Sequence, residues 1–171
     1  MPVNEFELEK VNIRMVPDAL MYSQTAISGP EDAVYMVADL LKDMDRECVC
    51  VINVNAANRP INVNVVSIGA VNYAVCHPAD IFKAAVLSNA TGMLLVHNHP
   101  SGNVNPSKDD IKVTDRMTKA SEIMGINLLD HVIVDPALTK YYSIKANEVC
   151  TYNRGAEKNI NEEAIRNNVR R

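Results

Sequence analysis

The period of the hydrophobic positions changes repeatedly along this chain, and each change predicts an element. Residues 1–29 form an N-terminal segment of weak periodicity, in which Phe6 to Ile13 alternates and predicts an edge strand. Ser28-Gly29-Pro30-Glu31-Asp32 then reads as a helix start, with a capping candidate, a proline in the first turn and two acids near the positive end of the helix dipole. Ala33, Val37, Leu40, Leu41 and Met44 follow at helical spacing and predict the face turned to a core. From Glu47 to Asn55 the apolar residues occupy both faces, Val49 and Val51 on one, Cys48, Cys50 and Ile52 on the other. Apolarity on both sides predicts a central strand covered by helices.

Ala56-Ala57-Asn58-Arg59-Pro60 is a turn, and Ile61 to Val65 alternates as the partner strand of a hairpin that Gly69 ends. Pro78 opens a second helix with the stripe Ile81, Phe82, Ala85 and Val86, and Gly92 to Val96 is a short buried strand. Ser107 caps a third helix running to Met124, with Val113, Met117, Ala120 and Met124 as its stripe and Gly125 as its stop. Ile126–Val134 and Tyr141–Ile144 are strands. This order predicts one α/β domain over residues 30–149, a mixed β-sheet flanked by helices. From Cys150 the composition turns to Asn, Glu and Arg, which predicts a frayed tail over residues 150–171, with helix over Asn161–Asn168.

Composition narrows the class. With 171 residues, 47% of them hydrophobic, the chain fits one domain with an ordinary core. There is no apolar run of membrane-spanning length, and Met1-Pro2-Val3-Asn4-Glu5 is not a secretory signal. Cys48, Cys50, Cys76 and Cys150 make no C-x-x-C pair, so reduced core thiols and a cytoplasmic location are expected. A net charge of −4 and a pI near 5.5 give no footprint for nonspecific nucleic-acid binding, and the small basic cluster Arg166, Arg170 and Arg171 does not supply one.

The candidate chemistry lies in His97-Asn98-His99-Pro100-Ser101-Gly102, followed by Pro106-Ser107-Lys108-Asp109-Asp110. In an extended segment residues i and i+2 point to one side, so His97 and His99 can aim at one point. Pro-Ser-Gly breaks the strand, and a helix capped by Ser107 puts Asp110 in its first turn, where a carboxylate can return to that point. Two nitrogens and one carboxylate oxygen match the three protein ligands of catalytic zinc, whose fourth position holds water. Ser107 with Asp110 is also an ordinary capping box that needs no metal. The cap leaves the two in-phase histidines unexplained, and zinc is the expected cofactor. The deaminase alternative fails, because no P-C-x-x-C follows an H-x-E.

His97-x-His99-Pro100 with Ser107 and Asp110 resembles the JAMM (MPN+, JAB) metalloprotease motif. Val96 to Gly102, Asp130-His131 before an apolar strand, and His77-Pro78 leading into Ile81-Phe82-Lys83 resemble the bacterial RadC family over roughly residues 30 to 149. The resemblance implies a JAB/MPN-like, cytidine-deaminase-like fold and a zinc-dependent hydrolase cleaving a peptide or isopeptide bond with activated water. It further implies that the general base is a glutamate on an earlier strand. Glu47 opens the expected central strand, with Glu31, Asp43 and Asp45 as upstream competitors, and the RadC-like match selects Glu47. For Ser107 it implies a hydroxyl donated to the oxyanion, which can coexist with the cap.

His131 is expected beside the ligands or paired with Asp130, since three ligands and water already satisfy zinc. His77 is expected at a helix entrance, Asn98 on the opposite side from the ligands, and Gly102 as a source of backbone freedom. The second function class is a DNA-repair-associated accessory protein with a structural or vestigial metal site, after the label of the RadC family. Longer RadC members carry an N-terminal region resembling a helix-hairpin-helix unit. Residues 1–29 are too few for it, and with the acidic charge direct DNA binding is not expected. The expected partner is a peptide or protein substrate; the sequence names neither a further partner nor an oligomeric state.

Overall fold

The computed structural model describes residues 9–19, 21, 26–42, 44–69 and 76–152. Helix α1 (Pro30–Leu41) is followed by the hairpin β1 (Cys48–Val54) and β2 (Pro60–Ile68), helix α2 (Pro78–Leu87) and strand β3 (Gly92–Asn98). Helix α3 (Lys108–Met124) and strands β4 (Asn127–Val134), β5 (Lys140–Ser143) and β6 (Glu148–Thr151) complete the order. The strands form one six-stranded sheet in the order β2-β1-β3-β4-β5-β6. Only β3 and β4 pair in parallel, as expected for two strands joined through a helix. The mixed α/β sheet is therefore the architecture of the described residues.

Every residue of β1 and of β3 is buried, because helices cover both faces. Alternate residues feed two cores. Cys48, Cys50, Ile52, Leu94, Val96, Val132 and Val134 pack with Ala33, Val34, Val37 and Leu41 of α1. Val49, Val51, Met93 and Leu95 pack on the other face with Ile81, Phe82 and Ala85 of α2 and Met117 of α3. The chain enters the first core before α1, where Ile27 is buried and its amide donates to the Asn58 carbonyl at 2.8 Å.

Four expectations need correction or placement. Glu9 to Ile13 form no strand, and Val11 and Ile13 are exposed, because no sheet edge pairs with them; Phe6 to Leu8 lie outside the described residues. Val86 is 47% and Met124 46% exposed, so the α2 stripe ends at the buried Ala85 and the α3 stripe ends one turn before Met124. The tail does not start at Cys150, which pairs with Tyr141 in β6, and the buried Tyr152 donates its amide to the Thr139 carbonyl at 2.7 Å. The helix expected over Asn161–Asn168 lies outside the described residues, as does Asp43. Among the described residues no helix is long and apolar enough to cross a membrane, and the four cysteines form no disulfide.

Candidate metal centre

Strand β3 runs two residues further than its apolar run, to Asn98, and so carries His97 inside the sheet. His97 follows Met93 and Leu95 on the face covered by α2 and α3. The amide of His99 continues the parallel pairing by donating to the Val134 carbonyl at 2.9 Å. Beyond it the chain turns through Gly102, whose φ of +76° lies in the left-handed region that glycine enters at little cost. That turn brings the Asn103 carbonyl to 2.6 Å from His99 Nδ1. A carbonyl only accepts, so Nδ1 carries the proton and His99 Nε2 offers its lone pair to the site.

Asp110 arrives from the first turn of α3. Ser107 is the N-cap, its Oγ accepting from the Asp110 amide at 3.1 Å while Asp110 Oδ2 accepts from the Ser107 amide at 2.7 Å. This reciprocal capping box aims the carboxylate at the histidines. His97 Nε2 is 2.9 Å from His99 Nε2, Asp110 Oδ1 is 3.3 Å from His97 Nε2, and Asp110 Oδ2 is 3.4 Å from His99 Nε2. A tetrahedral ion with bonds of about 2.0–2.1 Å separates its ligand atoms by about 3.3 Å. His97, His99 and Asp110 are thus a group that could hold a metal ion.

The electrostatics agree with a cation position. Against the burial that would raise it, the facing rings of His97 and His99 hold the Asp110 carboxyl far below the usual carboxylate range. Burial works against a charged His99 ring, but Asp110, the Asn103 carbonyl and the charge of Glu47 outweigh it and raise the His99 pKa. Burial, the largest cause, drives His131 well below the usual histidine value.

The other residues singled out in the sequence fall in distinct places. The pairing of Val49 with His97 puts Glu47 across from His99, half-buried at the entrance of β1. Of its competitors, Asp45 is engaged by Arg46 at 2.9 Å, and Glu31 sits in the first turn of α1, the helix on the opposite face of the sheet. His131 Nε2 lies 2.8 Å from His97 Nδ1, beside one of the candidate ligands. Asp130 does not touch that ring; it accepts from the His131 amide, Ser143 Oγ and the Lys145 amide. His77 is the N-cap residue of α2 and makes no side-chain capping bond. Sequence reasoning missed Thr114, whose Oγ1 is 2.7 Å from His131 Nδ1. Its spacing of four from Asp110, one helical turn, is the signal that could have raised it.

A model of the RadC-like JAB domain family matches residues 27–149. A UPF0758 protein of Desulforamulus reducens is 40% identical over 124 residues, 72% of this chain and 54% of that protein. One from Caldanaerobacter subterraneus is 38% identical over 109 residues, 64% of this chain and 47% of its own length. One from Desulfitobacterium hafniense is 36% identical over 119 residues, with 70% and 52% covered. The chain spans about half the length of these curated relatives. Residues 27–149 carry strands β1 to β5 and the histidine–aspartate cluster, and the chain belongs to the RadC-like JAB domain family.

Proposed function

We propose that this domain is a zinc-dependent metallohydrolase that cleaves a peptide or isopeptide bond in a peptide or protein substrate. The observation that carries the reading is the convergence of His97 Nε2, His99 Nε2 and the Asp110 carboxylate at 2.9–3.4 Å, the spacing of tetrahedral ligands. Zinc bound there would acidify water toward a pKa of ~7 and polarise a carbonyl. Glu47, across from His99, takes the proton of the attacking water and later gives it to the leaving nitrogen. Ser107 uses only its oxygen in the cap, so its hydroxyl proton is available to an oxyanion.

The test pairs metal analysis of the purified protein with a peptide-library cleavage assay and a Glu47→Gln control. The expected result is about one zinc per chain, lost in the His97→Ala, His99→Ala double variant. Glu47→Gln should keep the zinc while turnover falls roughly 10²-fold or more. A protein that takes up no zinc, or a Glu47→Gln variant that releases it, would overturn the scheme.

A further inference from the structure

A single line of hydrogen bonds runs from the backbone of α3 to the metal-facing ring of His97. The Thr114 hydroxyl lies 2.7 Å from the Asp110 carbonyl oxygen and 2.7 Å from His131 Nδ1, and His131 Nε2 lies 2.8 Å from His97 Nδ1. The direction of this line follows from counting protons. A hydroxyl has one proton and a carbonyl can only accept, so Thr114 donates to Asp110. Its oxygen must then accept from His131 Nδ1–H. With its single proton on Nδ1, the His131 ring, 3% exposed between Thr114 and His97, presents a lone pair at Nε2. His97 fills that lone pair with Nδ1–H, which leaves its own Nε2 unprotonated.

We propose that Thr114 and His131 are positioning residues that set the tautomer of His97, so that its Nε2 lone pair faces the metal site. The proposal rests on the metal-site reading above. The opposite direction would be harmful. If Thr114 donated to His131 Nδ1, His131 would donate from Nε2, and the proton of His97 would sit on Nε2 between the ring and the ion. The bond to the Asp110 carbonyl prevents this, and it belongs to the same helical turn that presents the Asp110 carboxylate. One turn of α3 thus supplies one ligand directly and prepares another through His131. His99 reaches the same state through the Asn103 carbonyl. Two lone pairs 2.9 Å apart repel unless a cation lies between them.

The experiment measures zinc affinity by chelator competition on the full chain for wild type, Thr114→Val, Thr114→Ser and His131→Gln. It also reads the histidine tautomers of the metal-free protein by long-range proton–nitrogen NMR. Thr114→Val keeps the side-chain shape and removes the hydroxyl. It should weaken zinc binding about 10- to 100-fold with an unchanged fold, as loss of a group behind a ligand does. Thr114→Ser should restore most of the affinity, and His131→Gln should weaken it as Thr114→Val does. In wild type the ring protons of His97 and His131 should both be on Nδ1, and Thr114→Val should move them toward Nε2. Unchanged zinc affinity in Thr114→Val, or a wild-type His97 proton on Nε2, would overturn the positioning role while leaving the metal site standing. A wild-type protein that binds no zinc would overturn both.

Discussion

Asn98 holds the backbone on either side of Glu47: its Oδ1 accepts from the Cys48 amide at 2.7 Å and its Nδ2 donates to the Arg46 carbonyl at 3.1 Å. The Glu47 carbonyl itself accepts from the Gly69 amide at 2.8 Å. Asn98 stands between the two histidines in sequence and on the other face of the sheet, so one tripeptide at the end of β3 serves both sides. His97 and His99 face the cluster with Asp110, while Asn98 fastens the start of β1. The path of the chain at Glu47 is therefore set by the residue between the two histidines.

Asn98→Ala should be costly for that reason. It leaves the buried Cys48 amide without an acceptor and the Arg46 carbonyl without its donor. An unsatisfied buried amide costs about 1–3 kcal/mol, while the carbonyl of the exposed Arg46 can be hydrated, so the variant should lose about 1–3 kcal/mol in denaturant unfolding. Hydrogen exchange at the Cys48 amide should accelerate as well. Wild-type stability would mean that water or a backbone shift replaces the asparagine.

How much of this was legible in the sequence depends on the kind of signal. Strands β1 and β3 were readable because both of their faces are apolar, and α3 because Ser107 and Gly125 punctuate its ends. The cluster was readable because period-two histidines and a capped aspartate are local patterns. Thr114 was not, since it meets His131 across seventeen residues and only the packing of α3 against β4 brings them together. Strand β6 was missed because Glu148-Val149-Cys150-Thr151 is a short edge strand whose residues are exposed or half-buried, leaving no alternation to see. Glu47 could not be told from its neighbours by pattern alone. Its place across from His99 is a matter of register between strands far apart in sequence.

Strand β6 gives a direct test of the corrected boundary. It closes the sheet edge on β5, covers the buried Tyr141, and leads to the buried Tyr152. A chain cut after Asn147 should unfold at lower denaturant than one cut after Tyr152, because it loses β6 and uncovers Tyr141. The comparison is made by urea titration followed by circular dichroism. Equal midpoints for the two would show that β6 adds nothing to the domain.

Cys76 makes a prediction about pH. Burial, then the charges of Asp80 and Asp110, push its thiol up to about 11 from an ordinary 9.0. At pH 8 that shift alone lowers the thiolate fraction about 100-fold, and the thiolate is the reactive form. Peptide-resolved alkylation should therefore label the half-buried Cys150 well before Cys76. The linkage has a definite sign. A thiol whose pKa is higher folded than unfolded contributes stability that is complete below pH 9 and is lost as pH rises through about 11. Cys76→Ala should flatten the fall in stability over that window; an unchanged slope would place the titrating group elsewhere.

Ser107 offers a way to separate a structural role from a chemical one. Its Oγ caps α3 through the Asp110 amide, so any change that removes the oxygen threatens the helix start as well as a hydroxyl donor. Alanine and glycine differ at this position. Replacing a serine N-cap by alanine costs about 1 kcal/mol, whereas glycine costs only a few tenths, because its free backbone can be solvated in the cap geometry. Ser107→Ala should therefore lower stability measurably and Ser107→Gly should hardly change it, while both lack the hydroxyl. If Ser107 donates to an oxyanion, both variants should lose turnover alike, by on the order of 10²-fold, once a substrate has been found in the cleavage screen. If the serine only caps, turnover should follow stability, with Ser107→Gly close to wild type and Ser107→Ala below it. Zinc content adds a control. Asp110 keeps its bond from the Ser107 backbone amide in either variant, so both should retain the metal. Loss of zinc in Ser107→Gly would mean that the side-chain oxygen is needed to aim Asp110.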